Sequence, residues 1–386
     1  MRAVVCADRA LEVQELPDPR PARGQLLLAV ERCGICGSDL HAKDHGEQLD
    51  EVMVEVGYDD SIRPDRPTVL GHEVCGRVLE RGPGAGRGPK EGDLVVPFPL
   101  QRAQGAVHLT GLSPLASGGY AERMLSEAAL TFTVPNGLPA EQAALTEPMA
   151  VALHAVRRGA PGKGDVAVVL GCGPVGLAVA LQLKARGVRT VIASDLSAGR
   201  RELARRCGAD VVVDPSVESP FDAGAAVAKG WLRSAPELLD LAVGSMRQLR
   251  RLPGWHHAFR AADALGQVDP SRPVVFECVG VPGMLDRVLA EAPLRSRVVV
   301  VGVCMGQDAI RPTMAINKEL ELRFVLGYTP LELRDALHQL ADGVVDGSPL
   351  ITGTVGLDGV AGAFEALGDP EAHAKVLVDP SSDAVL

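Results

Sequence analysis

Hydrophobic positions show three textures along the chain. From Met1 to about Met149 the apolar runs are short and interrupted by glycine and proline, as in Gln25 to Val30 and Val74 to Leu79. Runs of that length between turn formers predict a β-rich, barrel-like domain. From about Ala150 to Gly327 apolar runs alternate with helical stretches. The runs are Val166 to Leu170, Thr190 to Ala193, Val211 to Val213, Val274 to Glu277, Val298 to Val301 and Leu322 to Leu326. Strands alternating with helices predict a parallel, doubly wound sheet, so the chain reads as α/β. The tail from Tyr328 to Leu386 offers a helix (Leu331 to Asp342) and a last strand (Lys375 to Val378), which most simply fold back onto the first domain.

Two segments depart from these textures. Pro215 to Arg272 is long for one strand connection, which marks an insertion. Within it, Ser234-Ala235-Pro236-Glu237 has the form of a capping box with proline in the first turn. Leu238, Ala242, Ser245, Leu249 and Leu252 then share one helical face, which predicts an amphipathic helix packed on the domain or on a dimer partner. His256-His257 reads as a solvated turn. The second segment, Ala42 to Pro67, reads as a long acidic loop that could shape a substrate pocket or an interface.

Composition narrows the function classes. With 46% hydrophobic residues among 386, the chain can bury a sizeable core. Only 3% of residues are aromatic, the net charge is -10 and no Lys/Arg-rich run occurs, which argues against nucleic acid and anionic membranes as partners. The N-terminus runs into Asp8, Arg9 and Glu12 without the apolar core of a signal peptide. Val166 to Leu183 carries no charge, but its glycines and proline suit a buried strand, a tight turn and a buried helix better than a membrane span. The reading is a soluble, cytoplasmic protein. Its eight cysteines are scattered through apolar surroundings, which suits buried thiols and one metal ligand rather than a disulfide framework.

The strand at Val166 leads directly into Gly171-Cys172-Gly173-Pro174-Val175-Gly176, and a helix from Leu177 to Arg186 follows. A lone G-x-G-x-x-G says little, but between a buried strand and a helix it has the context a dinucleotide requires. Gly171 allows the turn, Gly173 lets backbone approach a pyrophosphate, and Gly176 permits close helix–strand packing, with Val175 among the binding positions. The helix N-terminus offers free N–H groups to phosphate. Asp195 ends the next strand, nineteen residues past Gly176, where a carboxylate accepts ribose hydroxyls and repels a 2′-phosphate. That predicts NAD over NADP, with Arg200 able to soften the preference.

Cys36 in Gly34-Ile35-Cys36-Gly37-Ser38-Asp39-Leu40-His41, His72-Glu73 after Gly71, and Glu147 in Thr146-Glu147-Pro148 supply a thiolate, an imidazole and carboxylates. Such donors suit zinc, and three protein ligands leave a position open. Together with the glycine motif, these segments resemble the zinc-containing alcohol dehydrogenases of the medium-chain dehydrogenase/reductase superfamily, nearest the sorbitol, butanediol and threonine dehydrogenase branch. Gly118-Gly119-Tyr120-Ala121-Glu122, Phe276-Glu277-Cys278-Val279-Gly280 and Lys375-Val376-Leu377-Val378 extend the likeness over essentially the whole chain.

The resemblance implies a Rossmann NAD-binding domain over 150–327, with the insertion at about 215–272. It also implies a GroES-like catalytic domain formed by 1–149 and 328–386. It implies Cys36 and His72 as zinc ligands, Glu73 as a ligand or near-ligand, and Glu147 as a further ligand, direct or through water. Asp39 would orient His72, Ser38 and His41 would form a proton relay, and Lys375 would lie near the cofactor pyrophosphate. Cys304 reads as a buried small residue that could also lie near the nicotinamide. Relatives with a second, structural zinc hold it with four cysteines, and Val96 to Ser117 contains none, so one zinc per chain is expected.

The reaction this predicts is reversible oxidation of a neutral alcohol, with a secondary alcohol, diol or polyol favoured. The alcohol would ionise on zinc, pass its proton through Ser38 and His41, and give hydride to nicotinamide in a cleft between the domains. A homodimer or homotetramer is the expected assembly. The alternatives are a zinc-free NADP-dependent quinone or enoyl reductase and a non-catalytic cofactor-binding protein. Asp195 and the donor set argue against the first, and the intact set Cys36, Ser38, His41, His72 and Glu147 argues against the second.

Overall fold

The computed structural model describes residues 1–228, 230–264 and 272–386. The chain divides into two compact units: Met1–His154 with Gly173–Gln182 and Gly327–Leu386, and Ala155–Cys172 with Leu183–Leu326. No helix among the described residues is long and apolar enough to cross a membrane.

The first unit is built on the strand Gln25–Gly34, which pairs antiparallel with Glu73–Arg81, Arg123–Glu127 and Lys375–Val378. Its inward residues, among them Leu26, Leu28 and Cys33, are buried with Val74, Val78, Met124, Val376 and Val378 in one core. Alternation of apolar and polar residues sets which face turns inward. The register then decides chemistry, because Gly34 lies opposite both Glu73 and Leu377. The end of one strand and the start of a second therefore meet beside a third. Gly34 has to lack a side chain here, since a Cβ would stand 1.9 Å from the Glu73 carboxylate.

Gly71, one residue before His72, is held at φ +95°, and a Cβ there would come within 2.7 Å of the Tyr120 ring and 2.8 Å of the Cys33 sulfur. A Gly71→Ala variant is expected to lose about 3 kcal/mol of stability, from left-handed strain plus overpacking. Denaturant titration checks this, and a midpoint equal to wild type would contradict it.

The second unit holds six parallel strands in the order Val211–Val213, Thr190–Ser194, Val166–Leu170, Val274–Glu277, Arg297–Val300, Glu321–Phe324. This is the doubly wound order of dinucleotide-binding sheets. The central strands are buried on both faces, which is why they read as unbroken apolar runs.

Four expectations change. Ala42 to Pro67 is not all loop, because Gly46–Glu55 is a helix seated by Asp50, which pairs with Arg63 at 2.6 Å. His256-His257 is not a turn but lies exposed in the helix Trp255–Ala264. The insertion carries three helices, Pro220–Val227, Ala235–Leu249 and Trp255–Ala264, rather than one. The helix after the glycine turn begins at Pro174, three residues earlier than expected, because proline suits a first helical turn.

Candidate functional site

Cys36 stands two residues past the central strand, at the N-cap of the helix Gly37–Asp44. Its backbone N–H donates to Asp39 Oδ2 at 2.9 Å, and Ile35 N–H donates to Val376 O at 3.0 Å, so the turn is tied at both ends. Asp39 is fully buried and also accepts from the Tyr120 hydroxyl at 2.7 Å. Its other oxygen faces His72 Nδ1 at 3.3 Å, at an angle that leaves neither atom in a full hydrogen bond. Burial pushes the Asp39 carboxyl up, but His72 and these donors outweigh it and hold the group below its usual range. Burial likewise opposes a charged His72, but Asp39 and Cys36 hold its imidazole well above the ordinary value. With Nδ1 turned to Asp39, Nε2 is the outward nitrogen and meets Ser38 Oγ at 3.2 Å.

Glu147 lies in the first turn of the helix Thr146–Gly159. Burial raises its carboxyl to about 7, opposed by the nearby His72 and assisted by Glu73. The buried hydroxyl of Tyr328 has no hydrogen-bond partner among the described residues, and it lies against this same carboxyl. Burial and Glu147 together raise the Tyr328 phenol well above its usual value. Phe98 packs edge-on against the Tyr328 ring, with centroids 5.2 Å apart.

Glu73 and Lys375 form a separate arrangement. Both are buried, and Lys375 Nζ donates to the two Glu73 oxygens at 2.6 and 2.8 Å and to Ile35 O at 2.8 Å. An ammonium has three protons, and all three are taken. Lys375 is thus a buried partner of Glu73, not a free cation for a pyrophosphate, because strand pairing brings it beside Ile35. Glu73 in turn has both oxygens engaged.

The structure joins Ser38 to His72 rather than to His41. His41 is half-buried in the same helix, its ring 6.0 Å from that of His45, and burial followed by His45 lowers its pKa. Among the described residues no three His, Cys, Asp or Glu groups are drawn together as a preformed metal cluster. The donor chemistry nonetheless suits a cation: a thiol, an imidazole backed by a carboxylate, and a buried carboxyl whose pKa burial raises. Buried Asp39 Oδ1, His72 Nδ1 and Tyr328 Oη lack full hydrogen bonds beside it.

At the glycine turn, Gly171 sits at φ +85°, where a Cβ would be 2.8 Å from Val279. Gly173 is open, with nothing within 4 Å of an added Cβ, so its backbone is approachable. Asp195 follows the strand Thr190–Ser194, and its carboxylate accepts from Cys172 N–H at 2.7 Å and Ser197 N–H at 2.8 Å. Each oxygen retains a lone pair for a further donor. Arg200 has a buried Nε without a partner, while Val175 and Gly176 lie in the first turn of the helix Pro174–Ala185. Cys304 is half-exposed, and its sulfur bonds Gly306 O at 3.4 Å. A cavity of about 550 Å³ in the second unit, lined by Ser219, Arg233, Glu237, Arg287 and Lys318, includes none of these groups.

Tyr120 and Tyr328 carry roles that the sequence reading did not assign. The chain has three tyrosines in all. Where aromatic residues are this scarce, a lone tyrosine between apolar runs is itself a signal.

Residues 22–136 match the family described as the alcohol dehydrogenase GroES-like domain. Over 381 residues the chain is 30% identical to the (R,R)-butanediol dehydrogenase of Bacillus subtilis (strain 168), covering 96% of this chain and 97% of that protein. It is 27% identical over 373 residues to the sorbitol dehydrogenase of Bos taurus, covering 92% and 89%. The X-ray crystal structure of 2R,3R-butanediol dehydrogenase from Bacillus subtilis matches with a TM-score of 0.72 at 28% identity, over 98% of this chain and 99% of that one.

Proposed function

Because the chain belongs to the medium-chain alcohol dehydrogenase family, we propose that it is an NAD-linked oxidoreductase interconverting a neutral secondary alcohol, diol or polyol and its ketone. The observation that supports the reading is buried His72, whose Nδ1 faces Asp39 at 3.3 Å and whose ring is under the pairwise influence of both Cys36 and Glu147. These three residues would hold one zinc ion per chain. Glu73, with both oxygens on Lys375, stands behind the set rather than in it. Zinc in that position supplies a Lewis acid for the alcohol oxygen, and NAD supplies the acceptor for hydride.

The chain's own residues do the rest. Asp39 fixes the orientation of His72, as a carboxylate behind a ligating imidazole does. Ser38 Oγ, 3.2 Å from His72 Nε2, would relay the substrate hydroxyl proton, and half-buried His41 on the same helix is the next base toward solvent, without a direct contact to Ser38. Tyr328 and Phe98 present a hydroxyl and a ring beside Glu147, a polar and an apolar contact for a small neutral substrate. Gly171 and Gly173 shape the phosphate turn, and Asp195 accepts the ribose hydroxyls of NAD.

The test follows absorbance of NADH with NAD and a panel of alcohols, diols, polyols and hydroxy amino acids, before and after zinc chelation. The expected result is a chelator-sensitive signal with diols or polyols. No signal with any alcohol, in protein shown to bind NAD, would overturn the reading. Asp195→Ser removes the charge that repels a 2′-phosphate. It is expected to cut the NAD-over-NADP preference in kcat/KM by about tenfold or more, in line with loss of a charge-assisted hydrogen bond. An unchanged ratio would sink this account of cofactor choice.

A further inference from the structure

The inserted helix Ala235–Leu249 has no buried residue. On it Leu239 is 63% exposed, Leu241 49% and Val243 51%, so a sizeable apolar surface faces water. Its half-buried residues Leu238, Met246 and Leu249 form the other side of the helix. The outward side is ordered. At 3.6 residues per turn, Glu237, Asp240, Gly244 and Arg247 fall on one stripe, flanked by Leu241 on one side and by Val243 and Leu239 on the other, and Arg250 and Arg251 follow in the turn at the helix's C-terminal end. The acids occupy the first half of the helix and the arginines the second. Among the described residues, Asp240, Arg247 and Arg251 have no ion-pair partner. Gly244, at the centre, has open space where a Cβ would be.

We propose that this face pairs with the same face of a second copy of the chain, antiparallel, about a twofold axis passing by Val243 and Gly244. Such an axis makes an isologous contact, in which each pair occurs twice. It sets Asp240 of one copy against Arg247 of the other and Glu237 against Arg250 and Arg251. It also covers Leu241 and Val243, and the bare Gly244 lets the two helix axes approach. A parallel pairing would put arginine against arginine, which the charge pattern forbids. The helix is only about 22 Å long. The contact therefore falls below the roughly 800 Å² per partner of a standard interface, and the association is reversible and sensitive to salt.

The same charge order also favours an isolated helix, through acids near its N-terminus and bases near its C-terminus. One set of variants separates the two explanations. Sedimentation velocity on the full-length protein, over a concentration series at low and high salt, reads the association. Asp240→Arg and Arg247→Asp are each expected to weaken it about tenfold or more, because each places two like-charge contacts across the axis. The double variant Asp240→Arg/Arg247→Asp recreates both pairs with reversed polarity and is expected to return to wild-type association, although it opposes the helix dipole. Helix content and turnover stay unchanged in all variants, since none of these residues is in the catalytic set. The proposal is overturned if all four proteins sediment alike at every concentration and salt, which would place any contact between copies elsewhere. It is overturned equally if the double variant is worse than either single one, which would assign the charges to the helix alone.

Discussion

Replacing Cys36 by alanine is expected to lower kcat/KM by about a thousandfold or more and to abolish the proposed zinc binding. Polarisation of a substrate oxygen by a metal is worth several kcal/mol, and each 1.36 kcal/mol is a factor of ten in rate. The substitution leaves the scaffold in place. The Cys36 backbone N–H still caps the helix through Asp39, and Asp39 still holds Tyr120. Loss of activity with unchanged unfolding behaviour would therefore report on the thiolate alone. Steady-state kinetics and metal content per chain, measured on one preparation, make the check. Retention of full activity with zinc absent would remove the metal from the mechanism, whereas full activity with zinc retained would remove only Cys36 from the ligand set.

The second large effect is on stability. Lys375→Met leaves the Glu73 carboxylate buried without its counter-ion, 302 positions away in sequence. Breaking one side of a buried pair costs about 3–5 kcal/mol, because the remaining charge has lost both water and partner. The double variant Glu73→Gln/Lys375→Met removes both charges, and it is expected to recover most of that loss. Denaturant midpoints of the single and double variants test this. A Lys375→Met protein as stable as wild type would mean that the pair contributes nothing, and a double variant no better than the single would mean that Lys375 acts through packing.

Much of the site was legible because its parts are local. The glycine turn between strand and helix, Asp195 at the end of the next strand, and the segment Cys36 to His41 each sit within a few residues of the element that presents them. Apolar periodicity gave the parallel strands, since strands buried on both faces must be apolar throughout. Expected ends differ from observed ones by a few residues, as in Arg297–Val300 and Glu321–Phe324, because hydrogen bonding rather than hydrophobicity sets where a strand stops.

What the sequence by itself determined was the alternation of elements, the turn that can cradle a phosphate and the kinds of donor available to a metal. Tertiary structure alone decided which donors meet. Cross-strand register set Glu73 beside Lys375, which leaves Glu73 as a near-ligand at most and takes Lys375 from the pyrophosphate role that the resemblance had implied. Packing of helices and loops put Tyr120 behind Asp39 and Tyr328 against Glu147, although no short motif links either pair. The helix Gly46–Glu55 and the exposed histidines of Trp255–Ala264 belong to the same class. Periodicity records which residues one face of an element would bury, but the partner for that face, and the charge a buried group carries there, depend on residues hundreds of positions away.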